Sequence, residues 1–160
     1  MNYFALFGLD TDFCIDDAAL NAQYRQLIAQ FHPDKTAHLS SFEQKQAMMT
    51  TATLNEAYRV LSSPLERAAY LLKQQQIDVD DPNNTHFPAD FLMQQMQWRE
   101  ALQENHDLLS LQNEIQQAFD ILLQKIKTAL TEQSYFQAAD FVRQGRFLDK
   151  LLSEIQSKTL

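Results

Sequence analysis

The apolar positions of the chain recur at helical spacing almost from end to end, in two groups separated by a polar interval. In the first group Leu20, Tyr24, Leu27, Ile28 and Phe31 follow one another at spacings of 4, 3, 1 and 3, the period of one helix face. Asp16 can cap this helix, and Pro33 biases His32 away from helical geometry, so an end is predicted near Phe31. Ser40 and Glu43 make a capping-box pattern that opens the next helix, with Leu54, Ala57, Tyr58 and Leu61 as its buried stripe. Pro64 interrupts that stripe and starts a fourth helix carrying Leu65, Ala68, Ala69 and Leu72 on one side. Ahead of them all, YFALFG reads as a short apolar turn stopped at Gly8.

The second group predicts three longer helices, at about residues 88–105, 108–131 and 134–157. Pro88 starts the first, and Asp107 and Ser134 stand as caps for the others. Leu108, Leu111, Ile115, Ala118, Phe119, Leu122, Ile126 and Leu130 keep a helical period; Phe141, Leu148, Leu152 and Ile155 do the same further on. Short connections make antiparallel neighbours, hence a three-helix bundle. The interval QIDVDDPNNTHFP (76–88) has no period and carries Pro82 and Pro88, so it marks the boundary. The expected organisation is an all-α chain with an N-terminal domain at 1–75, a linker at 76–87 and the bundle at 88–160.

Composition narrows the function classes. Two glycines and four prolines in 160 residues agree with helix nearly throughout. Lys+Arg is 13 against Asp+Glu at 21, a net charge of −8, which argues against a nucleic-acid partner and against an anionic membrane surface. A lone cysteine, Cys14, excludes an internal disulfide and suits a reducing cytoplasm. The start MNYFALFGLD has neither a basic region nor a long apolar run, so no signal peptide or membrane span is expected there. Without secretion the acceptor triplet Asn83-Asn84-Thr85 is an empty match.

Chemistry is scarce. Asp78, Asp80 and Asp81 suggest a calcium loop, but Pro82 sits where a ligand belongs and Ala89 fills the twelfth position. His32, His38, His86 and His106 show no metal-ligand spacing. Cys14 has no neighbouring nucleophile motif, and there is no G-x-S-x-G or phosphate-cradling glycine loop. Neither an enzyme nor a cofactor site is expected.

What remains is His32-Pro33-Asp34, between an amphipathic helix and a capped one. The tripeptide alone arises by chance in on the order of 1% of chains this long, so its context must decide. HPDK followed by LNEAYRVLSSPLERAAYLL (54–72) resembles the J domain of DnaJ-type co-chaperones over about residues 1–74. That resemblance implies that the loop and the preceding helix dock on a DnaK-like chaperone and stimulate its ATPase. The implied contacts are His32, Pro33 and Asp34, with Arg25 and Lys35 as nearby charges; Tyr24, Leu27, Leu54, Tyr58 and Leu61 are expected in the core. Proline keeps such a loop rigid, so little entropy is lost on docking. An exposed carboxylate can accept a charge-assisted bond from a partner arginine. One departure is that residues 16–31 hold only Arg25 where J domains are usually strongly basic, with Lys35 and Lys45 close by.

YFALFGL, FLMQQMQWREAL (91–102) and VRQGRFLDKL (142–151) extend the resemblance to the whole chain and to the HscB family, the J-type co-chaperones of iron–sulfur cluster assembly. It implies that the bundle binds a cluster scaffold protein of IscU type and delivers it to a chaperone of HscA type. By position, the scaffold contacts implied are Leu92, Met93, Met96, Gln97, Glu100, Glu104 and Phe147; Gln97 stands where relatives carry an acid. The cysteine pairs of some eukaryotic relatives are absent.

Helix geometry supplies a separate argument. At 100° per residue Phe91, Trp98 and Leu102 fall within roughly 40° of one another. Leu92, Met93 and Met96, with Glu100 and Glu104, occupy another face. A surface helix needs one apolar face, so the second either packs on the N-terminal domain or serves a partner. Methionines rimmed by carboxylates fit a partner. Phe147 lies roughly 100° off the Phe141–Leu148–Leu152 stripe. Three readings stay open: the scaffold-delivering adaptor, a J-domain adaptor for a different client protein, and a bundle that only self-associates. Loss of binding without loss of folding on changing Met93 and Met96 separates the first two from the third.

Overall fold

The computed structural model describes residues 2–84 and 86–159; Thr85, in both the linker interval and the Asn83-Asn84-Thr85 triplet, lies outside the described residues. Among the described residues every regular element is helical: α1 Tyr3–Leu6, α2 Asp17–Gln30, α3 Pro33–Thr36, α4 Ser41–Ser62, α5 Pro64–Gln74, α6 Ala89–Gln103, α7 Leu108–Thr131 and α8 Tyr135–Lys158, with one 3-10 turn at Pro82–Asn84. The chain divides into two compact units, the first ending at Arg67 and the second beginning at Ala68, so the division falls inside α5.

In the first unit α4 packs against α1, α2 and α3. Its start is the expected capping box: Ser40 Oγ accepts from the Glu43 N–H at 3.2 Å, and Glu43 Oε2 accepts from the Ser40 N–H at 3.4 Å. Asp16 Oδ1 caps α2 by accepting from the Ala18 and Ala19 N–H groups. Leu54, Ala57 and Leu61 are buried as predicted, joined by Ala47 and Val60, while Tyr58 is half-buried. Tyr24 and Tyr58 stack at 4.0 Å between centroids, and each hydroxyl donates across to an asparagine at 2.6 Å, Tyr24 to Asn55 and Tyr58 to Asn21. Position 21 pairs with 58 and 24 with 55, so α2 and α4 run antiparallel. The two tyrosines, expected in the core, are half-buried rings stacked at its edge with satisfied polar ends.

Arg67 was not legible as a structural residue. It is buried; its Nε donates to the Phe13 carbonyl at 2.7 Å and its Nη1 to the Leu61 carbonyl at 2.6 Å, with Phe13 under the guanidinium. The Leu61 carbonyl belongs to the last turn of α4 and has no helical partner, so Arg67 supplies one. Burial pushes the pKa of this guanidinium down from its usual value.

The second unit contains the antiparallel bundle of α6, α7 and α8, with the most extensive packing between α7 and α8. Ile115, Leu151 and Ile155 are fully enclosed beside Trp98, Leu102 and Leu148. Leu151 is absent from the predicted α8 stripe, whereas Leu152 and Phe141, which are in it, lie at the edge of the core. The stripe is shifted because α8 meets two helices, which widens its buried face beyond one row. Arg99 pairs with Glu154 at 3.0 Å, and Lys158 Nζ donates to the Leu102 carbonyl at 3.1 Å, fastening α6 to α8. Asp107 caps α7 by accepting from the Ser110 N–H. Ser134 occupies the N-cap of α8 but makes no side-chain cap bond.

Three helices end the same way. The Leu9 N–H donates to Phe4, Ile77 to Leu72 and Ser134 to Ala129, each around a residue with positive φ: Gly8 (65°), Gln76 (64°) and Gln133 (60°). This closure ordinarily recruits glycine because a Cβ is strained there. Gln133→Gly is therefore expected to stabilise the bundle by about 0.5–1 kcal/mol, after allowing for the added freedom of the unfolded chain. A thermal melt showing no gain would mean that the Gln133 side chain contributes more than its backbone strain costs.

Candidate functional site

The His-Pro-Asp segment is a helical turn. Pro33 opens α3, and His32 is its N-cap, with Nδ1 accepting from the Asp34 N–H at 3.2 Å. That nitrogen also lies 3.5 Å from Asp34 Oδ2. In that geometry the ring nitrogen accepts from the backbone N–H rather than donating to the carboxylate. The Asp34 side chain is 91% exposed. Gln44 holds the turn in place: its Nε2 donates to the carbonyls of Thr36, Ala37 and Leu39 at 3.1–3.3 Å. Nothing in the sequence marked Gln44, because its role depends on where three loop carbonyls converge. Arg25 and Lys35 are exposed, as is Lys45.

On α6 the two faces separate as the wheel demands. Trp98 and Leu102 are buried, whereas Leu92 is 44%, Met93 62% and Met96 71% exposed. Met93, Met96, Gln97 and Glu100 line one depression of about 640 Å³ with Arg99 and Gln103, all on α6. Glu104 is exposed at the C-cap. Phe147 is half-buried and belongs to an aromatic trio. It meets Phe87 edge-on at 5.0 Å and Phe91 at 6.2 Å, while Phe87 stacks on Phe91 at 5.6 Å. Phe147 therefore reaches α6 through Phe91 and lines a different depression from the methionines, about 530 Å³, with Val79, Asp80, Phe87, Arg143, Arg146 and Lys150. Phe87 was missed, since it precedes the helix and carries no periodic signal.

The interval before α6 is tied to the bundle at several points. Val79 is buried, its carbonyl accepts from Arg143 Nε at 3.0 Å, and Asp80 pairs with Arg146. Asp78 and Asp81 each accept a backbone N–H two residues on. These acids are thus spent on turns and on an arginine. Among the described residues no group of three His, Cys, Asp or Glu side chains is placed to hold a metal ion, and no helix is long and apolar enough to cross a membrane.

Two family descriptions match: a DnaJ domain over residues 2–70, and an HSCB C-terminal oligomerisation domain over 87–156. The chain is 50% identical to a co-chaperone protein HscB homolog of Neisseria meningitidis serogroup A, across 97% of both chains. It is 38% identical to the Aeromonas hydrophila homolog, across 98% of this chain and 95% of that one. The solved structure of chaperone HscB from Vibrio cholerae superimposes with a TM-score of 0.89 at 34% identity, covering 99% and 98% of the two chains. Human co-chaperone HscB shares the fold, with a TM-score of 0.91 at 23% identity over 100% of this chain and 83% of that one. A turn headed by His-Pro-Asp on an antiparallel helix pair, followed by this three-helix bundle, places the chain in the HscB family of J-domain co-chaperones.

Proposed function

We propose that this chain binds an iron–sulfur cluster scaffold protein of IscU type and delivers it to a DnaK-like chaperone of HscA type, whose ATPase it stimulates. It acts in the cytoplasm as an adaptor and catalyses nothing itself. Residues 1–75 serve as the J domain, 76–87 as the linker and 88–160 as the scaffold-binding bundle. The chaperone reads Arg25, His32, Pro33, Asp34 and Lys35. The scaffold is held by Leu92, Met93, Met96, Gln97, Glu100, Glu104 and Phe147. The observation that carries this reading is the open second face of α6: three large apolar side chains stand in solvent opposite the buried Trp98 and Leu102. Cores take up such residues where no partner does.

The test is the ATPase of the cognate chaperone, measured with this protein alone and with added scaffold. Stimulation by the protein, raised further by scaffold, is expected; absence of both, with no scaffold bound in a calorimetric titration, would overturn the reading. Docking on the chaperone should weaken only mildly between low and physiological salt. Of the six basic residues in 1–75, Arg67 is buried, Arg59 is bonded to Glu56 and Lys73 stands in the last turn of α5, outside the α2–α4 segment that carries the docking turn, which leaves Arg25, Lys35 and Lys45 to steer. A steep fall of stimulation with salt would show that other cations dominate. Self-association of the bundle is a second reading, favoured by the description of its matching domain and by Ile121 and Phe136, both exposed. Sedimentation of the free protein distinguishes it.

A further inference from the structure

The depression that holds Phe147 differs in charge from the methionine-lined one on α6. Three cations line it, Arg143, Arg146 and Lys150, against a single carboxylate, Asp80, in a chain whose net charge is −8. On α8 these cations and Phe147 share one face: relative to 143, positions 146, 147 and 150 lie roughly 60°, 40° and 20° away. The floor is apolar, made by the edge-on pair Phe87 and Phe147. Arg143 is only 8% exposed, and its bonds employ Nε, to the Val79 carbonyl, and one Nη, to Asp140 at 2.6 Å. A guanidinium has five N–H donors, so a buried one held at two points still has donors for an incoming acceptor. Lys150 is exposed one turn beyond, with no ion pair among the described residues.

Resting on the scaffold-binding reading above, we infer that this depression is an anion subsite of the same docking surface. It takes a carboxylate side chain of the scaffold next to an apolar one. The apolar group packs on Phe87 and Phe147, while the carboxylate accepts from Lys150 and the free edge of Arg143. Charge complementarity selects this occupant: a basic side chain would meet the unpaired Lys150 and compete with Arg143 and Arg146 for Asp140 and Asp80, and a purely apolar one would strip water from these cations without replacing its bonds. The α6 depression has Met93 and Met96 beside Glu100, with its one arginine, Arg99, paired to Glu154. Among the described residues the unpaired charge is thus a carboxylate, Glu100, in the α6 depression and an ammonium, Lys150, in this one, so the two accept different side chains of a partner.

Lys150 offers the cleanest test, because it is exposed and its replacement leaves the Arg143 and Arg146 ties intact. Scaffold binding would be titrated at low and high salt for wild type, Lys150→Arg, Lys150→Glu and the triple Leu92→Ala/Met93→Ala/Met96→Ala protein. Lys150→Glu should weaken binding about tenfold at low salt, less at high salt, and Lys150→Arg should bind as wild type. Changing acids on the scaffold to lysine one at a time should restore binding to Lys150→Glu at one position. Unchanged or tighter binding by Lys150→Glu, with the triple variant inactive, would overturn the anion subsite and leave the apolar patch standing. No scaffold binding by the wild type would overturn both.

Discussion

Replacing Leu92, Met93 and Met96 together by alanine is expected to abolish binding of the scaffold while leaving the melting temperature within a few degrees of wild type. Truncating an interface anchor typically costs about 1–3 kcal/mol of binding, so three neighbours on one helix face should lower affinity by at least about a hundredfold, even with incomplete additivity. Stability should hardly move, because all three are exposed and alanine is the better helix former. Calorimetric titration beside a thermal melt reads both quantities at once. Intact binding in the triple variant would remove the second face of α6 from the client surface. A large fall in melting temperature would instead show that these side chains support the bundle. Phe147 is a poorer probe: it packs on Phe87 and Phe91, so Phe147→Ala would disturb folding and binding together.

Asp34→Asn is expected to remove most of the stimulation of the chaperone ATPase, by tenfold or more, with the J domain fully folded. The substitution keeps the shape of the side chain and deletes its charge, and a charge-assisted bond to an arginine is about twice as strong as a neutral one. The fold should tolerate it because the bond at this position is made by the Asp34 backbone N–H to His32 Nδ1, and asparagine keeps that group. Steady-state turnover across a range of concentrations decides the matter. Stimulation that reaches the wild-type plateau at the wild-type concentration would show that the carboxylate carries no signal. A shift in concentration alone would assign it to affinity.

Helix positions were legible because the apolar stripes repeat at about 3.6 residues and several starts, those of α2, α4 and α7, carry their own cap chemistry. The capping box at Ser40 and Glu43 and the Asp107 cap are local bonds, complete within four residues, and both form as the sequence implies. The two faces of α6 were legible for the same reason: the wheel places Trp98 and Leu102 apart from Leu92, Met93 and Met96, and burial follows that division. Local chemistry was also enough for the turn after Phe31, since Pro33 fixes φ and denies α2 a continuation.

What the tertiary structure alone decided are the contacts between residues far apart in the chain. Arg67 reaches Phe13, Arg143 reaches Val79, and Phe147 closes on Phe87 and Phe91. In the local pattern they read only as an arginine on a helix or a phenylalanine beside a stripe. Gln44 reads as an ordinary polar helix residue until three loop carbonyls converge on its amide. Periodicity reports which way a side chain points from its own helix. It carries nothing about which carbonyl, ring or carboxylate the fold will bring to meet it, and that is set only when the helices pack.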